Sequence, residues 1–435
     1  MSIKKRYAVV GMGARARAYT DPICTTFRDR SDLVAICDPS TTRMEWHNKR
    51  IREVYEHPEV STYIADDFDK MIVEQKPDVV IVTTPDFLHH EYIVRAMDAG
   101  CDVIVEKPMT IDAAKSRAIH EAIQRTGRTL KVAFNYRYQP IATKIRELMM
   151  QGVVGTPLSV TYAYMLDTRH GADYFRRWHR DKANSGGLLV HKATHHFDLV
   201  NWFLDSYPEE VFAFGDLKFY GREAAESRGE KYDYERYTGA EGLEQDPFAM
   251  PMDNNEYLRT LYLNAENEGG YIRDKNVFGS GVTTEDTMAV TARFANGVIF
   301  SYSLIAYAPQ EGYEMYITGT KGRIEWRHYN VPHMLDENLE RVTEPAEESS
   351  ASSSLRVLPM FGKPYEVEVP TVEGGHGGGD TILAEHLFSN EEINDPFHRY
   401  ASYTDGVKSL AMGISANESI ATGKPVKIRD MVTID

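Results

Sequence analysis

Five short apolar runs, at 7–11, 33–37, 79–83, 103–106 and 130–134, punctuate the first 135 residues. They are rich in β-branched residues and nearly continuous, as strands covered on both faces are. Helix-period stretches at 90–99 and 113–126 separate some of them. Such alternation predicts a parallel, doubly wound sheet with right-handed crossovers. The texture changes after Tyr138. A helix is predicted over 141–151 and strands over 158–165, 209–220, 287–294, 298–306 and 313–318. The later strands alternate apolar with polar, and Asn296-Gly297 is a two-residue hairpin signal. This half reads as a large, mostly antiparallel sheet with one face covered. The expected class is α/β, with one domain at 1–137 and a second α/β domain at 138–435.

Two stretches interrupt the second pattern, at about 221–285 and 328–380. Residues 221–256 are polar and acidic, with tyrosines but no apolar stripe. Residues 336–354 combine six acids with a Ser-Ala-Ser tract and read as a solvated loop. Gly374-Gly-His-Gly-Gly-Gly-Asp380 reads as a flexible elbow before a helix at 380–388, and a last helix is predicted at 403–421. A minimal two-domain enzyme needs roughly 330 residues, so these additions hold most of the surplus in a chain of 435. They are expected to wall a substrate cleft or build a subunit contact.

Composition narrows the function. The formal net charge of −16 argues against nucleic-acid partners. No run of about 18 apolar residues exists, so no membrane-spanning helix is expected. The three cysteines, Cys24, Cys37 and Cys101, lack metal or redox spacing. With no signal-type apolar segment near the N-terminus, they point to the cytoplasm.

Gly11-Met-Gly13-Ala14-Arg15-Ala16 follows the first strand and has the G-x-G-x-x-A spacing of a dinucleotide turn. Gly11 permits the tight turn, Gly13 admits a pyrophosphate, and Ala16 allows close helix packing. Asp38 closes the second strand, where an acid accepts ribose hydroxyls and repels a 2′-phosphate. NAD is therefore expected over NADP, although Arg43 blurs the preference. Thr84-Pro85 through His89 and Glu106-Lys107-Pro108 end later strands, where open α/β sheets bind ligands.

With Asn135-x-Arg137-Tyr138, Gly186-Gly187…His195…Asp198 and Gly319-Thr-Lys-Gly322, these motifs resemble the Gfo/Idh/MocA family over roughly residues 6 to 327. The resemblance implies a Rossmann domain at 1–137 and an NAD site built from Gly11, Gly13, Ala14, Arg15, Ala16, Asp38, Thr84, Pro85, His89, Glu106, Lys107 and Asn135. It implies that Glu106-Lys107-Pro108 lies at the nicotinamide end, with Lys107–Pro108 a candidate cis bond. It also implies a homo-oligomer, formed through the sheet face opposite the site.

Residues 186–202 are expected to form one helix, with His191, His195, Asp198 and Trp202 on a single face. Relatives place an Asp and a His four apart here, beside the lysine. His195 matches the His, and His191 replaces the Asp. Hydride leaves carbon only as the hydroxyl loses its proton, so a base is needed, and histidine is competent at neutral pH. Lys107 would hold the developing alkoxide. His195 is expected to act neutral and without a carboxylate, with His191 binding a hydroxyl or relaying the proton. Two imidazoles at i, i+4 plus a carboxylate could also ligate zinc, but the resemblance implies metal-free chemistry and no metal is expected.

Tyr136, Arg137, Tyr164, Asp167, Arg169, His170 and Trp178 offer the donors and ring faces a sugar needs, and His376 is a distal candidate. The expected function is NAD-dependent hydride transfer at a secondary hydroxyl of a sugar or glycoside, with C3 as the reacting carbon. Two alternatives stand beside it. One is a redox-neutral glycosidase working by oxidation and elimination. The other is a nucleotide- or sugar-sensing protein without turnover.

Overall fold

The computed structural model describes residues 4–335, 352–370, 372, 375–389 and 393–434. Six parallel strands form the first sheet: β1 (Lys5–Val10), β2 (Ser31–Cys37), β3 (Ser61–Tyr63), β4 (Val79–Val82), β5 (Asp102–Val105) and β6 (Leu130–Val132). Their order is β3-β2-β1-β4-β5-β6, so the chain switches direction beside β1. The crossovers carry α1 (Arg17–Cys24), α2 (Thr41–Tyr55), α3 (Phe68–Gln75), α4 (His89–Asp98) and α5 (Ala113–Thr126). Local chemistry sets their ends. Ser40 caps α2 and Asp112 caps α5 through side chains that accept backbone N–H bonds. Strand β3 escapes the sequence pattern because it has three residues, two of them exposed.

The second sheet has nine strands: β7 (Pro157–Asp167), β8 (Pro208–Asp216), β9 (Thr287–Phe294), β10 (Ile299–Ala308), β11 (Gly312–Gly319), β12 (Gly322–Tyr329), β13 (Ser352–Pro359), β14 (Tyr365–Glu366) and β15 (Val426–Lys427). Only the β7–β10 pair is parallel. The inner face, with Tyr162, Phe300, Tyr302 and Trp326, covers a fully buried helix, Thr194–Leu204. Alternation along β9 and β10 leaves their other face exposed.

Three expectations change here. The predicted helix over 186–202 is broken: Leu188–His191 ends before Lys192-Ala193, and Thr194–Leu204 starts afresh. Residues 352–354, read as loop, open β13, while 336–351 lie outside the described residues. The 221–285 insertion is not solvated throughout. It buries Tyr237, Met252, Leu261, Tyr262 and Phe278, and its 252–269 portion packs on the dinucleotide turn through a small cluster with Ala14 and Trp46.

The C-terminal part returns to the first sheet. In helix Tyr403–Thr422, Val407, Leu410 and Ile414 join the core of the parallel sheet, while Ala411, Met412 and Ala416 join the other. A Cβ on Gly413 would lie 2.6 Å from the Leu189 carbonyl oxygen, so glycine permits this approach. Helix Gly379–Phe388 seats Phe388 against Tyr7, with ring centroids 5.3 Å apart. Among the described residues, no helix is long and apolar enough to cross a membrane.

Candidate active site

The dinucleotide turn is built as its glycines require. Gly11 has φ +91°, and a Cβ there would lie 2.6 Å from Thr84 N. Asp38 Oδ2 accepts the Met12 N–H at 2.6 Å, and Oδ1 accepts from Ser40 N and Arg43 Nη1. Burial pushes the Asp38 carboxyl above its ordinary range, partly offset by Arg43. The Ala14 N–H donates to Tyr262 Oη at 3.0 Å.

The next two turns are tied together by His89, a buried ring whose nitrogens lie 2.8 Å from the Pro108 carbonyl and 2.9 Å from that of Thr84. It positions these turns through their backbone. Burial depresses its pKa. The Lys107–Pro108 bond is cis. Glu106 accepts from Arg15 Nε, from Tyr19 Oη at 2.7 Å and from the Lys107 N–H. Burial alone would raise Glu106, but Arg15 and Tyr19 outweigh it and hold the carboxyl below its usual range. Arg15 reaches on to Asp380, which also accepts from Asn135 Nδ2 at 2.8 Å and lies 2.8 Å from His376 Nδ1. That cluster draws the glycine elbow onto the end of the first sheet. Asn135 Oδ1 remains buried without a hydrogen-bond partner.

Lys107 Nζ donates to the His191 carbonyl at 3.3 Å, so the lysine from the first sheet meets the short helix of the second domain. Burial pulls its pKa down to about 8, against the opposing pull of Asp86 and Glu106. The His191 ring does not stand alone: Nδ1 lies 2.5 Å from Asp86 Oδ2. Asp86 is 3% exposed and sits in the Pro85–His89 turn. Burial favours the neutral form of both partners, raising Asp86 and lowering His191. The carboxyl group that meets this face therefore comes from the Pro85–His89 turn and pairs with His191, not with His195.

His195 is 3% exposed and stacks on Tyr136, with centroids 4.0 Å apart and planes 12° apart. Its Nδ1 has no hydrogen-bond partner among the described residues. Burial, then the charges of Lys107 and Lys192, push its pKa well below the usual value, so the ring stays neutral. Lys192, set at the helix break, donates to Tyr136 Oη at 3.4 Å and lies over the Tyr164 ring. Burial would lower it, but Tyr136, Tyr174 and Glu311 outweigh that and keep it charged. His179 packs edge-on to His191 with centroids 4.2 Å apart.

The sugar-ligand candidates divide. Tyr136 and His376 line a cavity of about 750 Å³ together with Tyr164, Glu311, Tyr313 and His328. Trp178 stacks on His179 and meets His191 edge-on. His170 pairs with Glu311 at the rim. Arg137 is placed elsewhere: its guanidinium binds Asp198 at 2.6 and 2.8 Å and Asp405 at 3.0 Å, fully buried. Asp167 caps helix Thr168–Arg176 through the Arg169 and His170 N–H groups. Arg169 is exposed on that helix. Asp198 and Trp202 face Arg137 and the Phe397 carbonyl, away from His191. Asp86, His179, Lys192 and Asp380 were not among the expected ligands. Asp86 and Asp380 had a signal, lying inside a turn and a glycine elbow already singled out, and Lys192 lies within the 186–202 segment. Among the described residues no group of three or more His, Cys, Asp or Glu is placed to hold a metal ion.

Residues 5–134 match the profile described as "Oxidoreductase family, NAD-binding Rossmann fold", and residues 146–428 match "Oxidoreductase family, C-terminal alpha/beta domain". The chain is 34% identical over 439 residues to a putative oxidoreductase, YteT, of Bacillus subtilis (strain 168), covering 98% of each. It is 29% identical over 200 residues to the D-glucoside 3-dehydrogenase of Escherichia coli (strain K12), covering 46% of this chain and 54% of that one. Its fold is shared with the aldose-aldose oxidoreductase from Caulobacter crescentus, at TM-score 0.62 and 19% identity over 98% of this chain and 100% of that one.

Proposed function

The chain belongs to the Gfo/Idh/MocA family of oxidoreductases, and from that premise we propose that it is an NAD-dependent enzyme transferring a hydride to or from a secondary hydroxyl of a sugar or glycoside. C3 of a hexopyranoside is the proposed reacting carbon, in line with the name of the glucoside relative. One observation carries the reading: Lys107, from the first sheet, reaches the backbone of His191 at 3.3 Å, where the Asp86–His191 pair and neutral His195 converge on it.

The donor set fits a dinucleotide. The positive-φ glycine turn at Gly11, Asp38 at the end of β2 and Asn135 Oδ1, unpartnered among the described residues, suit its pyrophosphate, ribose and amide groups. NAD, when bound, supplies the hydride acceptor. The protein's own groups do the rest. Lys107 holds the sugar oxygen as negative charge grows on it. His195 takes the hydroxyl proton, which burial keeps it ready to do by holding it unprotonated. Asp86 fixes the tautomer of His191, which then faces the sugar as a hydrogen-bond partner. Tyr136 and Trp178 supply ring faces, and the cavity beside Tyr136 and His376 has room for more than one sugar ring.

A second reading, the redox-neutral glycosidase, is favoured by the second basic pair: Lys192 on Tyr136, next to His195, could serve a separate proton transfer. A panel of glycosides incubated with enzyme and NAD⁺ separates the two. Accumulating NADH supports the dehydrogenase. Sugar release without net NADH, with solvent deuterium entering C2, supports the glycosidase. Tight NAD⁺ binding with neither outcome would leave the sensing role.

A further inference from the structure

The insertion at 221–285 reaches back onto the first domain at one defined place. Arg43 Nε donates to the Leu261 carbonyl at 3.1 Å, Trp46 meets Tyr257 edge-on, and Tyr262 Oη accepts the Ala14 N–H. A few residues on, the Glu268 carboxylate lies on the first turn of α2. It accepts from Ser40 Oγ, from Thr41 Oγ1 and Thr42 Oγ1 at 2.9 Å each, and from Thr42 N at 3.3 Å. Three hydroxyls and a helix N–H thus converge on one anion.

That turn directly follows Asp38, where the ribose end of a dinucleotide is read. Hydroxyls, a helix N-terminus and a nearby arginine are what a 2′-phosphate requires. Arg43 is 8% exposed, and its buried Nη2 has no hydrogen-bond partner among the described residues. By local sequence, Ser40-Thr-Thr-Arg43 is therefore an NADP-type cradle. Asp38 alone does not cancel it, because its Oδ1 accepts from Arg43 Nη1 and its Oδ2 from Met12 N–H.

We propose that Glu268 is an internal stand-in for the 2′-phosphate: it occupies the cradle on Ser40, Thr41 and Thr42 and makes the chain select NAD over NADP. The selection is carried by a residue 230 positions from Asp38, supplied by the insertion. A 2′-phosphate would meet a carboxylate already holding its donors, and like charges in one site exclude each other. The ribose hydroxyls of NAD carry no charge and face no such conflict. This inference rests on the proposed reading of the first domain as an NAD site.

Calorimetric binding of NAD⁺ and NADP⁺ to wild type, E268Q and E268A tests it without any turnover. The ratio of NADP⁺ to NAD⁺ affinity is expected to rise by about tenfold or more in E268Q, and further in E268A, because a like-charge clash is removed. Wild-type NAD⁺ affinity serves as the control for folding in each variant. An unchanged ratio in both variants, or a parallel loss of both dinucleotides, makes Glu268 a mere tether and overturns the proposal. Wild type binding neither dinucleotide overturns the cofactor reading itself, a distinct outcome.

Discussion

The carboxylate of Asp86 and the imidazole of His191 lie 2.5 Å apart although 105 residues separate them in the chain. Asp86 sits in the turn after β4 and His191 ends the short helix Leu188–His191, whose His191 carbonyl Lys107 also contacts. The pair closes the cleft only when both domains are correctly docked. Acid–base groups of this kind typically contribute 10²–10⁴-fold to rate. Asp86→Asn replaces the carboxyl group and frees the His191 tautomer. Steady-state kinetics should give a kcat lower by about a hundredfold or more, with NAD⁺ affinity unchanged by titration. Near-wild-type kcat would make the pair structural only.

With Lys107 in the proposed role, the rate has an alkaline limit. The lysine holds an alkoxide only while protonated, and burial has brought its pKa down to about 8. The rate should be level below that value and fall as pH rises through it. His195, held neutral by burial and by its cationic neighbours, adds no inflection at neutral pH. In Lys107→Arg the guanidinium stays charged throughout. A pH–rate profile of that variant should lose the alkaline limb at a reduced kcat. Persistence of the limb assigns it to another group.

Arg137 belongs to the scaffold. Its bonds to Asp198 and Asp405 join the end of the first domain to helices Thr194–Leu204 and Tyr403–Thr422. Removing one partner of a buried pair typically costs about 3–5 kcal/mol. Asp198→Ala should lose stability on that order in denaturant unfolding, while the folded fraction keeps its sugar KM. A KM change without a stability loss would restore the sugar-ligand role first expected for Arg137.

Gly11 tests the dinucleotide turn. Its φ of +91° is strained for any side chain, and a Cβ would press on Thr84 N at 2.6 Å and on the Thr83 carbonyl carbon and oxygen at 2.7 and 2.8 Å. Gly11→Ala should weaken NAD⁺ binding strongly in fluorescence titration. Gly297→Ala, in a hairpin with open space around its Cβ position, is the control that pays only the backbone strain and should bind NAD⁺ normally.

Much of this was legible from local signals. Apolar runs gave five of the six parallel strands, and G-x-G-x-x-A with Asp38 marked the dinucleotide turn. Lys107 and His195 were picked out by motif; Lys107 reaches the His191 backbone and His195 stacks on Tyr136. What escaped depends on distance or on backbone breaks. Asp86 pairs with His191 only after the domains dock. Lys192 gains its place because the helix stops at His191 and restarts at Thr194, which the periodicity of 186–202 does not signal. The Glu268 contact joins the insertion to α2, and nothing in either segment announces the other. Arg137 misled because a buried arginine and a sugar-binding arginine look alike in sequence.

The central claim is hydride transfer from a sugar carbon beside Lys107. The most direct test is a single turnover of enzyme, NAD⁺ and a glycoside deuterated at C3, followed by nicotinamide absorbance and by the mass of the recovered cofactor. Wild type is expected to yield reduced, deuterium-bearing nicotinamide, and Lys107→Met, at saturating NAD⁺, none. Reduction without deuterium would move the chemistry to another carbon, and equal reduction in Lys107→Met would contradict the assignment of the site.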